Sequence, residues 1–168
     1  RAIRFPEGEV SVVGRTAQGV KGMELEEGDR VVGMLLIRRD ATVLTVTDEA
    51  QGKRTPVGEF PLQKRGGKGT LALPSGGDGG TLVAALEVLE ADEVMLISAG
   101  GTVTRVRADT IPAQGRRTRG RKLLALPAGD RVVEVTRTQG GGGPPEPAGG
   151  VAAVADDDGR DQLDLLGE

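Results

Sequence analysis

A basic turn recurs along this chain at intervals the size of one propeller blade, and that period constrains the fold more than any single motif does. Arg15-Thr-Ala-Gln-Gly19, Arg65-Gly-Gly-Lys-Gly69 and Arg116-Arg-Thr-Arg-Gly120 share an Arg-x-x-x-Gly core, with their arginines 50 and 51 residues apart. The flanks hold the same register. Thr42–Thr47 and Pro61 return 51 residues later as Glu93–Ser98 and Pro112, with Gly52–Thr55 between the first pair and Gly101–Arg105 between the second. Glu27-Gly-Asp-Arg-Val-Val32 returns after 101 residues, near two periods, as Ala128-Gly-Asp-Arg-Val-Val133.

Between the turns, strand signals dominate. Val10–Val13, Val31–Ile37, Thr42–Thr47, Thr70–Leu73, Leu82–Val88, Glu93–Ser98, Thr102–Arg107, Lys122–Leu126 and Arg131–Thr136 are short, β-branched or leucine-rich, and bounded by Gly, Pro and Asp. Thr102–Arg107 alternates partly, as a half-buried strand should. No segment before residue 140 holds a helical period. The expectation is an all-β fold over residues 1–139, a β-pinwheel or propeller of about four strands per blade. Three units are visible, the first truncated. The chain starts without Met inside an expected strand and is read as a piece of a longer polypeptide.

Composition narrows the chemistry. The 168 residues include no His, Cys, Trp or Tyr and two Phe, so the core must be aliphatic. Without Cys there is no disulfide or thiolate–metal framework, and without His the usual general base and commonest metal ligand are absent. Catalytic residues and a metal site are therefore not expected in this chain. No apolar run approaches the roughly 18 residues of a membrane span, and Arg1-Ala-Ile-Arg4 does not open a signal peptide. The expectation is an intracellular chain with no membrane partner.

The net charge of −3 conceals an asymmetry. Residues 144–168 carry seven acids against Arg160 alone, which leaves the rest of the chain at +3. Positions 53–69 sum to +4 and positions 104–122 to +6, so the positive charge sits on the recurring turns. Residues 140–155 read as a Gly/Pro/Ala linker, and 156–168 as an acidic tail too charged to pack by itself. Asp156–Asp158 lack an organised loop to hold a metal.

Several segments carry a family resemblance. Ala2-Ile-Arg-Phe5, Gly14-Arg-Thr-Ala-Gln-Gly-Val-Lys-Gly-Met23, Gly28–Met34, Gly52-Lys-Arg-Thr-Pro-Val57, Met95–Ser98 and Gly115–Gly120 together resemble the C-terminal half of the C-terminal domain of gyrase A, from DNA gyrase, a type IIA topoisomerase. The resemblance implies a six-bladed β-pinwheel that wraps duplex DNA around a basic perimeter and supports ATP-dependent negative supercoiling. It also implies a bacterial, cytoplasmic, nucleoid-associated enzyme assembled from two A and two B subunits. The cleavage tyrosine, Mg²⁺ and ATP would then lie outside this chain. Gln63-Lys-Arg-Gly-Gly-Lys-Gly69 looks like the gyrase A box, with Lys64 where Arg is usual.

Physically, Lys and Arg that neutralise phosphates release counterions, and glycines let main-chain N–H groups approach an anion. The candidate DNA-binding residues are Arg15, Gln18, Lys21, Lys53, Arg54, Gln63, Lys64, Arg65, Gly66, Gly67, Lys68, Gly69, Arg105, Arg116, Arg117, Arg119, Arg121 and Lys122. Arg15 has a structural alternative, bonding a neighbouring strand's carbonyls, and Gly66-Gly67 serve turn geometry equally well. Two aromatic residues make a single-strand stacking platform a poor reading. The alternatives to a gyrase wrapping module are the corresponding A-chain domain of topoisomerase IV, which selects substrates for decatenation, and a propeller that binds protein and not DNA.

Overall fold

The computed structural model describes residues 1–37, 40–74 and 79–138. The linker and tail expected over 140–155 and 156–168 lie outside the described residues, as do the acids of Asp156–Asp158. The described fold is all-β, with seven strands and three short 3-10 turns in two antiparallel sheets.

β1 (Thr42–Thr47) and β2 (Gln51–Pro56) form a hairpin, and β3 (Leu82–Val88) pairs with the other side of β1. β4 (Glu93–Ser98), β5 (Val103–Arg107) and β7 (Val132–Thr138) repeat that arrangement, with β4 in the centre. Even the register irregularity recurs, between Val46 and Thr47 in one sheet and between Ile97 and Ser98 in the other. A 3-10 turn recurs at Glu7–Glu9, Val57–Glu59 and Ala108–Thr110, the last two directly after β2 and β5. The 50-residue period is therefore a structural period.

The fourth strand of the first sheet comes from the following unit. β6 (Arg121–Lys122) pairs with β2 through Gly52↔Arg121 and Gln51↔Lys122. One unit earlier Thr70 bridges Ala2 in the same way, and the parallel bridges Arg4↔Leu62 and Arg54↔Ala113 repeat as well. Each unit thus lends its basic turn to the edge of the unit before it, which satisfies edge N–H and C=O groups that would otherwise be open.

The core is aliphatic. Leu44, Val46, Ala50, Val88, Val94, Leu96, Ala108, Ile111, Val132 and Val135 form one buried cluster. Alternation is clear in β4, where Val94, Leu96 and Ser98 are buried and the residues between them are half-buried. Phe60 and Ile111, each just after a 3-10 turn and 51 residues apart, are both buried.

Four expected strands are corrected. Val10–Val13 and Val31–Ile37 are not strands, Thr70–Leu73 shrinks to a single bridge, and Lys122–Leu126 becomes the two-residue β6. Val31–Ile37 has the pattern of β7, but among the described residues no strand pairs with it, and Val31 and Met34 are exposed. A strand is a paired object, and pattern alone does not supply the partner. Conversely, β2 is a strand without a strand's pattern, because Gln51-Gly-Lys-Arg-Thr-Pro56 has no apolar alternation.

Candidate nucleic-acid interface

The second and third turns lead into the edge pairings of the units before them, and the side chains of the recurring turns divide into two groups. Lys64 and Lys68 of the second turn and Arg117, Arg119, Arg121 and Lys122 of the third are exposed. Arg15, Gln18 and Lys21 of the first are exposed too. Exposure of this kind is what contact with a phosphate requires.

The leading arginines of the later turns are differently engaged. Arg65 is half-buried; its Nε donates to Glu9 O at 3.1 Å and its Nη1 to Lys21 O at 2.6 Å. Arg116 donates from Nη1 to Thr70 Oγ1 and to Leu71 O, the latter at 2.9 Å, while its Nε is buried without a hydrogen-bond partner. Lys21 and Leu71 stand 50 residues apart, so the two arginines grip equivalent carbonyls of successive units. Arg65 uses two arms of its planar fork, Nε and Nη1, an arrangement that a lysine does not reproduce, whereas Arg116 makes both contacts from Nη1.

The closing glycines serve the same junction. Gly69 and Gly120 have φ of +65° and +88°, and a Cβ on either would lie 2.4 Å from a main-chain oxygen of the preceding unit, Ala2 O or Gly52 O. Gly19 shares the left-handed conformation, but a Cβ there meets nothing within 4 Å. Arg-x-x-x-Gly is thus a docking motif, whose arginine and glycine seat the turn on its predecessor.

Main-chain groups complete the seat. Gly66 N donates to Gly22 O at 2.8 Å, Glu24 N to Gly67 O at 2.9 Å, and Arg65 N to the Glu9 carboxylate at 2.8 Å. Gln63 is half-buried, and its N–H bonds Arg4 O. The N–H of Gly66 therefore bonds a carbonyl, which favours the turn-geometry role for this glycine over phosphate approach.

Lys53 and Arg54, expected on the basic perimeter, lie inside, and this is a correction. Lys53 is 0% exposed, and its Nζ reaches Gly115 O at 3.0 Å and Arg116 O at 2.6 Å. Burial, with repulsion from the Arg116 guanidinium second, lowers its ammonium to about 8. Arg54 is 5% exposed and donates from Nε to Ile111 O at 2.7 Å. The carbonyls of the adjoining unit receive both heads. Arg105 lies on β5 with its Nη1 3.3 Å from the Glu93 carboxylate.

Sequence reasoning misses the supports. Arg4 donates from Nη1 to Val57 O and Phe60 O, one period before Arg54 grips Ile111 O. Arg1 donates to Lys68 O and Gly69 O. Thr118 Oγ1 bonds Gln114 Oε1 and Gly115 O, which stiffens the third turn. The shared register of Arg4 and Arg54 is the available signal. Among the described residues no acidic cluster could hold a metal ion, and no helix is long and apolar enough to cross a membrane.

An aliphatic β-repeat whose units exchange edge strands, with lysines and arginines standing on each exchanged turn, defines a propeller-type module with a cationic edge. The family model of the DNA gyrase C-terminal domain, a β-propeller, matches residues 1–38, 41–88 and 92–139, and the chain belongs to that family. The DNA gyrase A protein of Pseudomonas aeruginosa is 40% identical over 139 residues, 83% of this chain and 15% of the relative. Its Escherichia coli counterpart is 36% identical over 137 residues, 82% of this chain and 16% of the relative. The chain thus spans about a sixth of the length of these relatives. Among solved structures, a DNA gyrase A C-terminal domain matches with a TM-score of 0.73 and 32% identity, over 79% of this chain and 45% of that one. The C-terminal domain of a DNA topoisomerase IV matches with the same TM-score and 26% identity, over 81% of this chain and 43% of that one.

Proposed function

We propose that this chain is a duplex-DNA-binding and wrapping module of gyrase A. In that role it supports ATP-dependent negative supercoiling by an assembly with gyrase B, which brings the ATP site, while the Mg²⁺ and the cleavage tyrosine also belong to parts of the assembly outside this chain. The observation that carries this reading is the set of exposed cations, Lys64, Lys68, Arg117, Arg119, Arg121 and Lys122, standing on turns one period apart. Bending 20–30 bp by 40–90° costs on the order of 1–6 kcal/mol, which favours many weak phosphate contacts along an arc over one tight site. A non-specific backbone grip needs no base-reading side chains. The work expected of such a module is bacterial, cytoplasmic and close to the chromosome.

The test is duplex affinity and bend angle across a salt series. The expected result is a steep salt slope that falls by about 0.9 for each phosphate contact removed. A folded protein whose duplex affinity ignores salt would overturn the reading in favour of a protein-binding propeller. The equal TM-score of the topoisomerase IV domain keeps substrate selection for decatenation as the second reading, and the higher identity of the gyrase domain favours wrapping.

A further inference from the structure

We propose that Arg65 and Arg116, the signature arginines of the basic turns, are positioning residues that fix the spacing between successive turns and so the curvature of bound DNA, and are not phosphate ligands. The proposal rests on the duplex-binding reading for its consequence, but its geometry stands independently. The two guanidinium groups reach 44 to 56 residues back along the chain, to the segments that flank the preceding turn. Arg65 ends on Lys21 O and Glu9 O, beside the exposed Lys21 head. Arg116 ends on Thr70 Oγ1 and Leu71 O, directly after Lys68 and Gly69.

The turns are therefore linked head to tail, from the loop at Lys21 through Arg65 to the second turn and through Arg116 to the third. Lys53 holds the third turn from beneath, at the carbonyls of Gly115 and Arg116. The donors that Arg65 and Arg116 direct at carbonyl and hydroxyl oxygens of the preceding unit are not available to a phosphate, and both residues are half-buried, whereas their neighbours Lys64, Lys68, Arg117 and Arg119 are exposed and take the DNA. A series of such links converts three flexible basic loops into one arc of fixed pitch, and a fixed arc selects the bend of the duplex laid on it.

Two properties separate a positioning arginine from a contacting one. Loss of a phosphate ligand lowers the salt slope by about 0.9, and lysine replaces arginine there with its charge intact. Loss of an inter-turn link leaves the slope but frees the spacing, and at Arg65, which uses two arms of the fork, lysine does not replace it. The experiment compares the full chain with its Arg65→Lys, Arg116→Lys, Arg65→Ala and Lys64→Ala variants. It records salt slope and bend angle on a linear duplex, and amide exchange without DNA.

Arg65→Lys is expected to keep the slope within about 0.3 of the wild type and to reduce the bend angle. It is also expected to lower the protection of the Gly66 and Glu24 amides about tenfold, as the loss of one charge-assisted hydrogen bond predicts. Lys64→Ala is expected to lower the slope and keep that protection. Thr70→Val removes one acceptor of Arg116 and no charge, and a reduced bend at constant slope in that variant supports the proposal should an arginine variant fail to fold. An Arg65→Ala slope that falls as far as that of Lys64→Ala, or unchanged bend and protection in Arg65→Lys, overturns it. Wild-type protein without salt-dependent duplex binding defeats the duplex reading instead, and amide protection alone then decides whether the arginines link the turns.

Discussion

Gly120 shows how much one residue carries in this fold. Its left-handed backbone costs an L-residue about 1–2 kcal/mol, and a Cβ would in addition press on Gly52 O of the neighbouring unit at 2.4 Å. Gly120→Ala is therefore expected to destabilise by more than the backbone cost alone, read as a lowered urea midpoint. Gly101→Ala, left-handed as well but with nothing within 4 Å of its Cβ, is expected to lose the backbone cost only. Equal losses would show that the junction yields to the extra carbon. Lys53 gives a pH prediction of definite sign. Its folded-state value of about 8 lies below the ordinary 10.5, so between those values the unfolded chain holds a proton that the folded chain has released. Stability then rises with pH across that window, because the unfolded state binds more protons. Measured against Lys53→Met, the wild type should gain stability from pH 8 to 10.5 and show no such trend below 8. A flat difference throughout would mean that the buried ammonium keeps its charge. Neither residue's role is legible from its type: a basic residue between Gly and Arg reads as surface, and only the neighbouring unit's carbonyls make burial tolerable.

At the scale of elements, the central strands explain where the stability lies. Leu96 in the middle of β4 is fully buried, and Leu96→Ala is expected to cost about 2–5 kcal/mol by denaturant unfolding. Val103, on the adjacent β5, is 59% exposed, and Val103→Ala is expected to fall within about 0.5 kcal/mol of wild type. A comparable loss at both positions would contradict the division into buried and open faces. β1, β3 and β4 are legible to the residue, because apolar runs bounded by Gly, Pro and Asp sit where strands are present to pair with them. β2 escapes such a reading because its sequence is polar, and it is a strand because β1 and the borrowed β6 pair with it on either side. Val31–Ile37 fails in the opposite sense, with strand-like residues and no pairing strand among those described.

For the whole molecule, charge is distributed unevenly among the turns. The third presents Arg117, Arg119, Arg121 and Lys122 to solvent, the second Lys64 and Lys68. Replacing the four by Ala is expected to lower the salt slope by up to about 3.6, and replacing the two by up to about 1.8. Equal losses would place the main phosphate track on the box-like turn. The period, the all-β class, the aliphatic core and the location of the positive charge on the turns can all be read from the order of residues. They are properties of composition and spacing, which survive without knowledge of what faces what. Which cations face outward is settled only by how the units pack. Arg65, Arg116, Lys53 and Arg54 have the same chemistry as their exposed neighbours, and they differ only in lying within reach of carbonyls 44 to 63 residues away. Sequence spacing cannot report that reach, because one unit's edge is completed by the turn of the next.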